Sequence, residues 1–382
     1  MKNKNLVIFL NPHIWDLNVW DAMEVEKYKK DFNVVVYELG HFLNKLMVKS
    51  FINKVNNKSI VRPVNIKTWR NHIFNLVNRS KKKKILIISC VNPLNLNSYL
   101  LFRDLSKLNV NIVHFNNPGL PLVNIKKNFI EKINQVIDLR YLIFFLNKKI
   151  FSFLFRRLKF YNFFYLVSGL DYYQKLNYKK KILGISWDFN KEIENKNLNL
   201  KKKYAVYVQS TLNFGDAPIL GPNFSQVNKN DWVYELNRFF DEFEKKTDLK
   251  VIIAAHPKTK KDVVKYFKSR KLFFNKTQEL INKSSFVFFE HSTAISFVVK
   301  YKKPALMLYS TQTISKSYYR DNFFSLAKLA GIKTHNIVNK FSGQSKNKLF
   351  SVNGKQYKLF QKNYLGKSNI TNFLILKKKF FC

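Results

Sequence analysis

The sequence has little cysteine. Only Cys90 and Cys382 occur in 382 residues, and two residues so far apart form neither a disulfide framework nor the paired spacing of a zinc site. This excludes the small disulfide-stapled folds and gives no reason to invoke a structural metal. A reducing cytoplasm is the simplest location to expect.

Long hydrophobic runs are also missing. The start "MKNKNLVIFLNPH" is basic, but its apolar run covers only Leu6 to Leu10, which is shorter than the core of a signal peptide and typical of a first strand. No run reaches the roughly 18 apolar residues of a membrane span. We therefore expect a soluble protein, or one bound peripherally at the inner face of the cytoplasmic membrane.

Acidic residues are scarce. The chain has 24 of them against 68 basic residues, a net charge of +44. Coding bias explains part of the excess of positive charge, because lysine far outnumbers arginine. Asparagine is abundant too, which fits the same bias. The charge still attracts polyanions, either nucleic acid or an anionic membrane surface. The chain has no recognisable recognition helix, zinc pattern or aromatic RNA-binding motif, so the membrane surface is the partner to expect.

Apolar runs alternate with charged, helical segments in both halves of the chain. Examples of strands are "NLVIFL", "KILIIS", "YAVYV", "VIIAA" and "SFVFF". Continuous apolar strands separated by helices are typical of parallel sheets covered on both faces. We predict two Rossmann-like α/β domains facing a cleft, one over 1–180 and one over 181–340, followed by a basic and aromatic extension over 341–382. No GxGxxG follows any strand, so no dinucleotide site is indicated.

One segment mixes aromatic and basic residues. Residues 141–170 read "YLIFFLNKKIFSFLFRRLKFYNFFYLVSGL". This pattern predicts a pair of amphipathic helices. They either cap the first domain or lie in a membrane interface, with aromatic side chains at the acyl boundary and cations on headgroups.

Polar residues follow two apolar strands of the second half. His256 and Lys258 come directly after "VIIAA", and Glu290, His291, Ser292 and Thr293 separate "SFVFF" from the next helix. Ligands of open α/β sheets bind at the carboxyl ends of strands. Imidazole, hydroxyl and ammonium groups there could hold phosphate. The alternative needs no ligand: His256 would belong to a turn made by Pro257, and Ser292 or Thr293 would cap the next helix.

A general base could come from a third segment. In "QSTLNFGDAPILG" Asp216 follows a predicted strand, and a carboxylate in a cleft can remove a proton from a sugar hydroxyl. An ordinary turn accounts for Asp216 as well. Asp188, in "SWDF", competes for the same role with a weaker case.

These residues resemble a known family. "VIIAAHPKT" and "KTQELINKSSFVFFEHSTAISFVVKYKKPALML" are similar to the second domain of glycosyltransferase-like (GT-B) proteins of bacterial surface-carbohydrate biosynthesis. The His-Pro and Ser-Thr pairs also resemble motifs of bacterial sialyltransferases and polysialyltransferases. The resemblance implies that His256 contacts the donor phosphate, that Ser292 and Thr293 bind phosphate or ribose, and that Asp216 is the base. "FGDA" departs from the acidic-acidic-glycine pattern of the sialyltransferases.

The resulting hypothesis is an inverting, metal-independent glycosyltransferase of surface polysaccharide or lipopolysaccharide biosynthesis. Its donor would be a nucleotide-activated, CMP-linked sugar bound by the domain over 181–340. Its acceptor would be a glycan or lipid-linked glycan on the side of the domain over 1–180, and no separate cofactor is expected. Catalysis would rest on Asp216 and His256, and donor binding on His256, Lys258, His291, Ser292 and Thr293. Alternatives are a phosphotransferase that uses a CDP-polyol, a non-catalytic scaffold and a nucleic-acid-binding protein.

Overall fold

The computed structural model describes residues 4–13, 15, 17–43, 55, 57, 59–116, 120, 139–190, 203–210, 228–256, 261–267, 270–315, 317–341, 346–367 and 370–382. The chain divides into two compact units. The first comprises residues 1–117, 136–191 and 366–382, and the second comprises residues 118–135 and 192–365. The extension predicted over 341–382 is thus divided between the two units.

The first unit contains a sheet of seven parallel strands in the order β3-β2-β1-β4-β5-β6-β7. The central strands β1 and β4 are buried along their whole length, as expected for apolar runs covered on both faces. The strands are β1 Leu6–Asn11, β2 Asn33–Glu38, β3 Ile60–Val61, β4 Ile85–Ser89, β5 Asn111–Asn116, β6 Asn162–Ser168 and β7 Lys181–Gly184.

Helices connect these strands, and asparagine caps two of the longer ones. Asn65 accepts a hydrogen bond from the Thr68 amide, and Asn95 forms a capping box with Ser98, which satisfies amides that the first helical turn leaves open. The helices are α1 Leu17–Ala22, α2 Val25–Asp31, α3 Gly40–Leu43, α4 Ile66–Arg79, α5 Leu96–Ser106, α6 Leu139–Arg156, α7 Leu170–Lys175 and α8 Trp187–Asn190.

Two sequence predictions for this unit need correction. The segment over 141–170 does not form two amphipathic helices: α6 is followed by the strand β6, which is buried only over its last three residues. The run "NFFYLVS" is short enough for either structure. The strand at Lys181–Gly184, predicted to open the second domain, pairs in parallel with β6 at the edge of the first sheet.

The second unit contains six parallel strands in the order β10-β9-β8-β11-β12-β13. Its strands are β8 Tyr204–Val208, β9 Lys250–Ala255, β10 Leu272–Phe274, β11 Phe286–Phe289, β12 Ala305–Tyr309 and β13 Lys333–Asn336. Its helices are α9 Lys229–Thr247, α10 Thr277–Lys283, α11 Ile295–Lys300, α12 Ser317–Ala330, α13 Lys346–Leu349 and α14 Gly354–Phe360. The segment Lys261–Phe267 is a 3₁₀ helix, and Gln361–Leu365 is a π-helical turn. The predicted architecture of two parallel α/β sheets is confirmed.

The core of the second unit forms where α9 packs on its sheet. Leu236, Phe239, Phe240 and Phe243 are buried, and their spacing of three and four residues places them on one helix face. The Phe243 ring meets the Phe288 ring of β11 edge-on at 4.7 Å. This packing holds α9 against the sheet and so fixes the positions of the strand ends.

The last helix, α15 Asn372–Phe380, belongs to the first unit and packs within it. The Asn372 side chain accepts from the Ile185 amide at 2.9 Å and donates to the Ile185 carbonyl at 2.8 Å. The Phe373 ring lies 4.8 Å from that of Tyr28. Over the described parts of the chain, no helix combines the length and apolarity that crossing a membrane requires.

Candidate functional site

The strand order of the second sheet reverses between β8 and β11. Along the chain, β9 and β10 are added on one side of β8, and β11, β12 and β13 on the other. In open parallel sheets such a switch point leaves a crevice at the carboxyl ends of the two strands, where ligands bind. The site must therefore be sought where β8 and β11 end.

Polar side chains follow four adjacent strands at this edge, β9, β8, β11 and β12. We call this group the polar edge, and its members are His256, Gln209, Ser210, His291, Ser292, Thr293, Ser310 and Thr313. Because one strand separates β9 from β11, their axes lie about 10 Å apart. That span suits a small ligand that crosses the end of β8.

His256 lies directly after β9 and is half-buried. Its amide donates to Gln209 Oε1 at 3.3 Å, and the Gln209 amide donates to the Ala254 carbonyl at 3.0 Å. The buried Gln209 therefore holds the end of β9 against the end of β8. Sequence reasoning missed this residue, although it follows an apolar strand just as His256 does.

Two predicted site residues, Asp216 and Lys258, lie outside the described residues. Asp188, the weaker candidate for the base, lies in α8 of the first unit. It therefore does not belong to the edge of the second sheet.

A buried carboxylate supports the end of β11. Glu290 is 1% exposed, and its Oε1 accepts from the Tyr207 hydroxyl at 2.5 Å. Burial raises the pKa of Tyr207 well above its ordinary value, and the Glu290 charge raises it further. Tyr207 therefore stays protonated and donates to Glu290. This pair joins β8 to β11 at the switch point. It could not be predicted from the sequence, because it depends on these two strands being neighbours in the sheet.

His291 follows Glu290 and is neutral at physiological pH. Burial lowers the pKa of His291 to about 4, and its ring meets the Tyr319 ring at 5.7 Å. A neutral imidazole still donates one N–H to a phosphate oxygen, but it supplies no fixed positive charge. Any charge that balances a phosphate must come from elsewhere.

Ser292 and Thr293 form the turn before α11. Ser292 Oγ accepts a hydrogen bond from the Ala294 amide at 3.2 Å. It thereby satisfies a backbone amide at the start of α11, as a capping residue does. Ala294, not a serine or threonine, stands at the N-cap position and makes no side-chain capping bond. Thr293 is exposed, which makes its hydroxyl the better placed of the two for a ligand.

A second serine and threonine pair, absent from the predictions, follows β12. The Ser310 amide donates to Thr313 Oγ1 at 2.9 Å, and the Thr313 amide donates to Ser310 Oγ at 3.3 Å. Both residues are buried. The pair makes a hydrogen-bonded turn after β12, which pairs with β11, and extends the polar edge by one strand.

The first sheet has its own switch point between β1 and β4, and a buried acid lies next to it. Glu38, at the end of β2, is opposite Asn11 of β1. Its carboxylate accepts from the Trp15 amide at 3.1 Å and pairs with Arg62 at 2.9 Å and with His41 at 3.4 Å. These contacts satisfy the buried charge and tie β2 to its neighbours.

The described residues contain no group of three or more histidine, cysteine or acidic side chains placed to hold a metal ion.

No protein-family model matches the sequence, and no curated protein matches it significantly. Solved structures do resemble it. A proposed UDP-N-acetylglucosamine 2-epimerase from Listeria monocytogenes matches with a TM-score of 0.51 and 9% identity, over 98% of this chain and 95% of that protein. MurG from Acinetobacter baumannii matches with a TM-score of 0.44 and 9% identity, over 98% and 99%. The glycosyltransferase SnogD from Streptomyces nogalater matches with a TM-score of 0.46 and 9% identity, over 94% of each chain.

The likeness to the Listeria protein, together with the two parallel sheets, shows that this chain has the predicted GT-B-like two-domain α/β fold.

Proposed function

We propose that the protein is a glycosyltransferase of bacterial surface-carbohydrate biosynthesis that takes a nucleotide-activated sugar at the polar edge. The observation that supports this is the switch point between β8 and β11, where hydroxyl groups follow both strands and imidazole groups follow β11 and the adjacent β9. Such donors suit the phosphate of a nucleotide, and the edge spans about the width of one. Of the donors that would fit, we propose a CMP-linked sugar, since the His-Pro and Ser-Thr pairs resemble motifs of sialyltransferases.

In this proposal the polar edge stabilises the leaving nucleotide. The acceptor hydroxyl attacks the anomeric carbon with inversion while Asp216 takes its proton, and the bond from that carbon to the donor phosphate breaks. Negative charge grows on the leaving phosphate, so groups that contact it there lower the barrier more than they strengthen ground-state binding. His256 and Thr293 donate hydrogen bonds to it, neutral His291 adds one, and Lys258 supplies positive charge.

The proposal is tested by calorimetric titration with CMP, CDP, UDP and GDP at moderate salt, which suppresses loose binding to the basic surface. We expect selective binding of CMP. His256→Ala and Thr293→Val should each weaken it by about 10- to 100-fold, the cost of one charge-assisted hydrogen bond. His72→Gln removes an exposed imidazole of the first unit but keeps a polar side chain beside the Tyr37 hydroxyl, to which His72 is hydrogen-bonded, and it should bind as the wild type does.

Other outcomes would replace the proposal. Equal, weak binding of all four nucleotides, unaffected by His256→Ala, would show that the polar edge is not the donor site. Selective binding of CDP, with a phosphodiester in the product, would identify the polyol-phosphate transfer instead. UDP selectivity without transfer to any acceptor would point to an activity such as that for which the Listeria protein is named.

A further inference from the structure

Helix α6 exposes a continuous apolar stripe. Ile143, Leu146, Ile150 and Phe153 are 51%, 47%, 51% and 54% exposed. Their spacing of three, four and three residues places them on one helix face over about 15 Å. Isolated apolar side chains are common on protein surfaces, but four in a row along one helix are not.

The opposite face of α6 is already in use. Phe155 packs on Phe102 of α5 with ring centroids 4.8 Å apart, and Phe151 meets Tyr99 at 6.0 Å. Phe151 and Phe155 lie eight and twelve residues after Ile143, on the side of the helix away from the stripe. The helix is therefore anchored in the first unit, and its stripe is turned outward.

Basic groups border the stripe. Lys149 and Arg156 lie along one side of it, and Arg157 follows at its end. Lys149 Nζ lies 4.5 Å from the Phe145 ring, and the Arg157 guanidinium 4.4 Å from the Phe153 ring. No acidic residue occurs between positions 139 and 170. Apolar side chains beside long cationic ones are typical of a helix that lies in the headgroup region of an anionic membrane.

We infer that the outward face of α6 docks the protein on an anionic lipid bilayer. The apolar stripe enters the boundary between headgroups and acyl chains, and the bordering cations bind lipid phosphates. The excess of positive charge elsewhere on the chain, +44 in all, draws the protein towards such a surface but does not select a face. The inference concerns the first unit alone and does not depend on the proposed reaction.

The C-terminal helix has a similar composition but exposes one large apolar side chain, Leu374 at 47%, and not a row of them. In α15, Phe373 and Leu376 are buried, and Lys377 pairs with Asp31 at 2.5 Å. Just after α15, the Phe381 ring lies 4.3 Å from that of Phe32. Its apolar side chains thus serve mainly the core of the first unit, so α6 is the helix to test.

The experiment is co-sedimentation with vesicles of phosphatidylcholine, alone or with one third phosphatidylglycerol. The wild type should bind the anionic vesicles. Combined substitution of the stripe, Ile143→Ser, Leu146→Ser, Ile150→Ser and Phe153→Ser, leaves the net charge unchanged and should weaken binding by at least about tenfold. Undiminished binding of this variant, or no binding of the wild type, would overturn the inference.

A charge-matched pair separates docking from diffuse adsorption. Lys149→Glu with Arg156→Glu on α6, and Lys355→Glu with Lys358→Glu on α14, lower the net charge equally at exposed positions. The α6 pair should reduce binding at least about fivefold more than the α14 pair, since charges near the membrane contribute most. Equal losses would show adsorption without a preferred face and contradict the inference.

Two further readouts distinguish docking from misfolding and from self-association. Unchanged circular dichroism and melting of the serine variant would show that lost binding is not lost folding. Brominated lipid in anionic vesicles should quench the tryptophan fluorescence of Phe153→Trp more than that of the wild type, which has five native tryptophans, because the stripe is at acyl depth. If light scattering shows a wild-type dimer that the serine variant does not form, and neither protein binds vesicles, a second copy covers the stripe and the inference is wrong.

Discussion

At the scale of single residues, we expect His114 to make the first unit sensitive to acid. It is buried at β5, and its ring lies 6.1 Å from Phe163 and 5.6 Å from Tyr165. Burial lowers the pKa of His114 from 6.5 to about 4, although a hydrogen bond with the Ser89 backbone acts in the opposite direction. The folded protein thus holds a neutral imidazole at a pH where the unfolded chain would protonate it.

The sign of the pH dependence follows from this difference. Above pH 6.5 His114 is neutral in both the folded and the unfolded protein, so its titration does not reduce the free energy of unfolding. As the pH falls towards about 4, only the unfolded state binds the proton. The free energy of unfolding should fall by about 1.4 kcal/mol per pH unit from this one group, about 3 kcal/mol in all.

Urea unfolding of the wild type and of His114→Phe between pH 8 and pH 4.5 measures this contribution. At pH 8 the difference between the two proteins gives the packing cost of the substitution. Below pH 6.5 the wild type should lose stability faster than the variant. His291, whose pKa burial also lowers to about 4, leaves the variant part of the slope. Parallel curves for both proteins would refute the prediction.

Residues at strand ends could be predicted from the sequence, but their neighbours could not. His256 and His291 follow continuous apolar runs, which mark strands whatever their order, and the structure places both at the same sheet edge. Their roles stay predictions. Tyr207 and Glu290 are 83 residues apart, and only the pairing of β8 with β11 brings them together. Asp216 and Lys258 lie outside the described residues.

At the scale of elements, Arg270 holds α9 on the second sheet. Its guanidinium donates to Asn237 Oδ1 at 2.9 Å, to Asp241 Oδ1 at 2.5 Å and to Glu244 Oε1 at 3.1 Å. The three acceptors lie on successive turns of one helix face, and the Arg270 side chain is 7% exposed. A planar fork with five N–H donors can reach all three, whereas a lysine ammonium cannot do so in the same geometry.

Arg270→Lys should therefore lower the free energy of unfolding by about 1–3 kcal/mol, since at least one buried acceptor loses its donor. Arg320→Lys, which alters an exposed pair with Asp321, should change it by less than about 0.5 kcal/mol. Urea unfolding followed by circular dichroism compares the two variants. Equal effects would show that Arg270 acts as an ordinary surface cation.

Element types were predictable where length or composition decided between helix and strand. The 19 residues of α9 with spaced aromatics are too long for a strand. The apolar run of β6 could form either structure, and its pairing with β5 decides. The charged segment "VWDAMEVEKYKKD" contributes to two helices, α1 and α2, because Glu24 between them takes a left-handed conformation with φ 55°. Its carboxylate accepts from the Phe373 amide, which is distant in sequence.

At the scale of the whole molecule, like charges repel. The 68 basic residues exceed the 24 acidic ones by 44, so pairing every carboxylate would still leave most cations without an acidic partner. Several acids are also buried, among them Glu38, Asp104 and Glu290, so salt screens their interactions less than those of exposed groups. Screening should therefore reduce repulsion among surface cations more than it weakens attraction within the molecule.

We therefore expect salt to stabilise the protein. Raising NaCl from about 20 to about 300 mM shortens the screening length from roughly 20 Å to roughly 6 Å. The melting temperature should rise, by about 2–4 °C for each kcal/mol of repulsion that is screened. Scanning calorimetry measures the rise, and sodium acetate in place of chloride should give the same rise if ionic strength is the cause.

A fall with salt would mean that ion pairs such as Arg62 with Glu38 and Arg70 with Asp104 outweigh the excess of positive charge. The lysines would then be spaced widely enough that their mutual repulsion lowers the stability of the fold only a little. Their number would matter mainly for the surfaces to which the protein adheres.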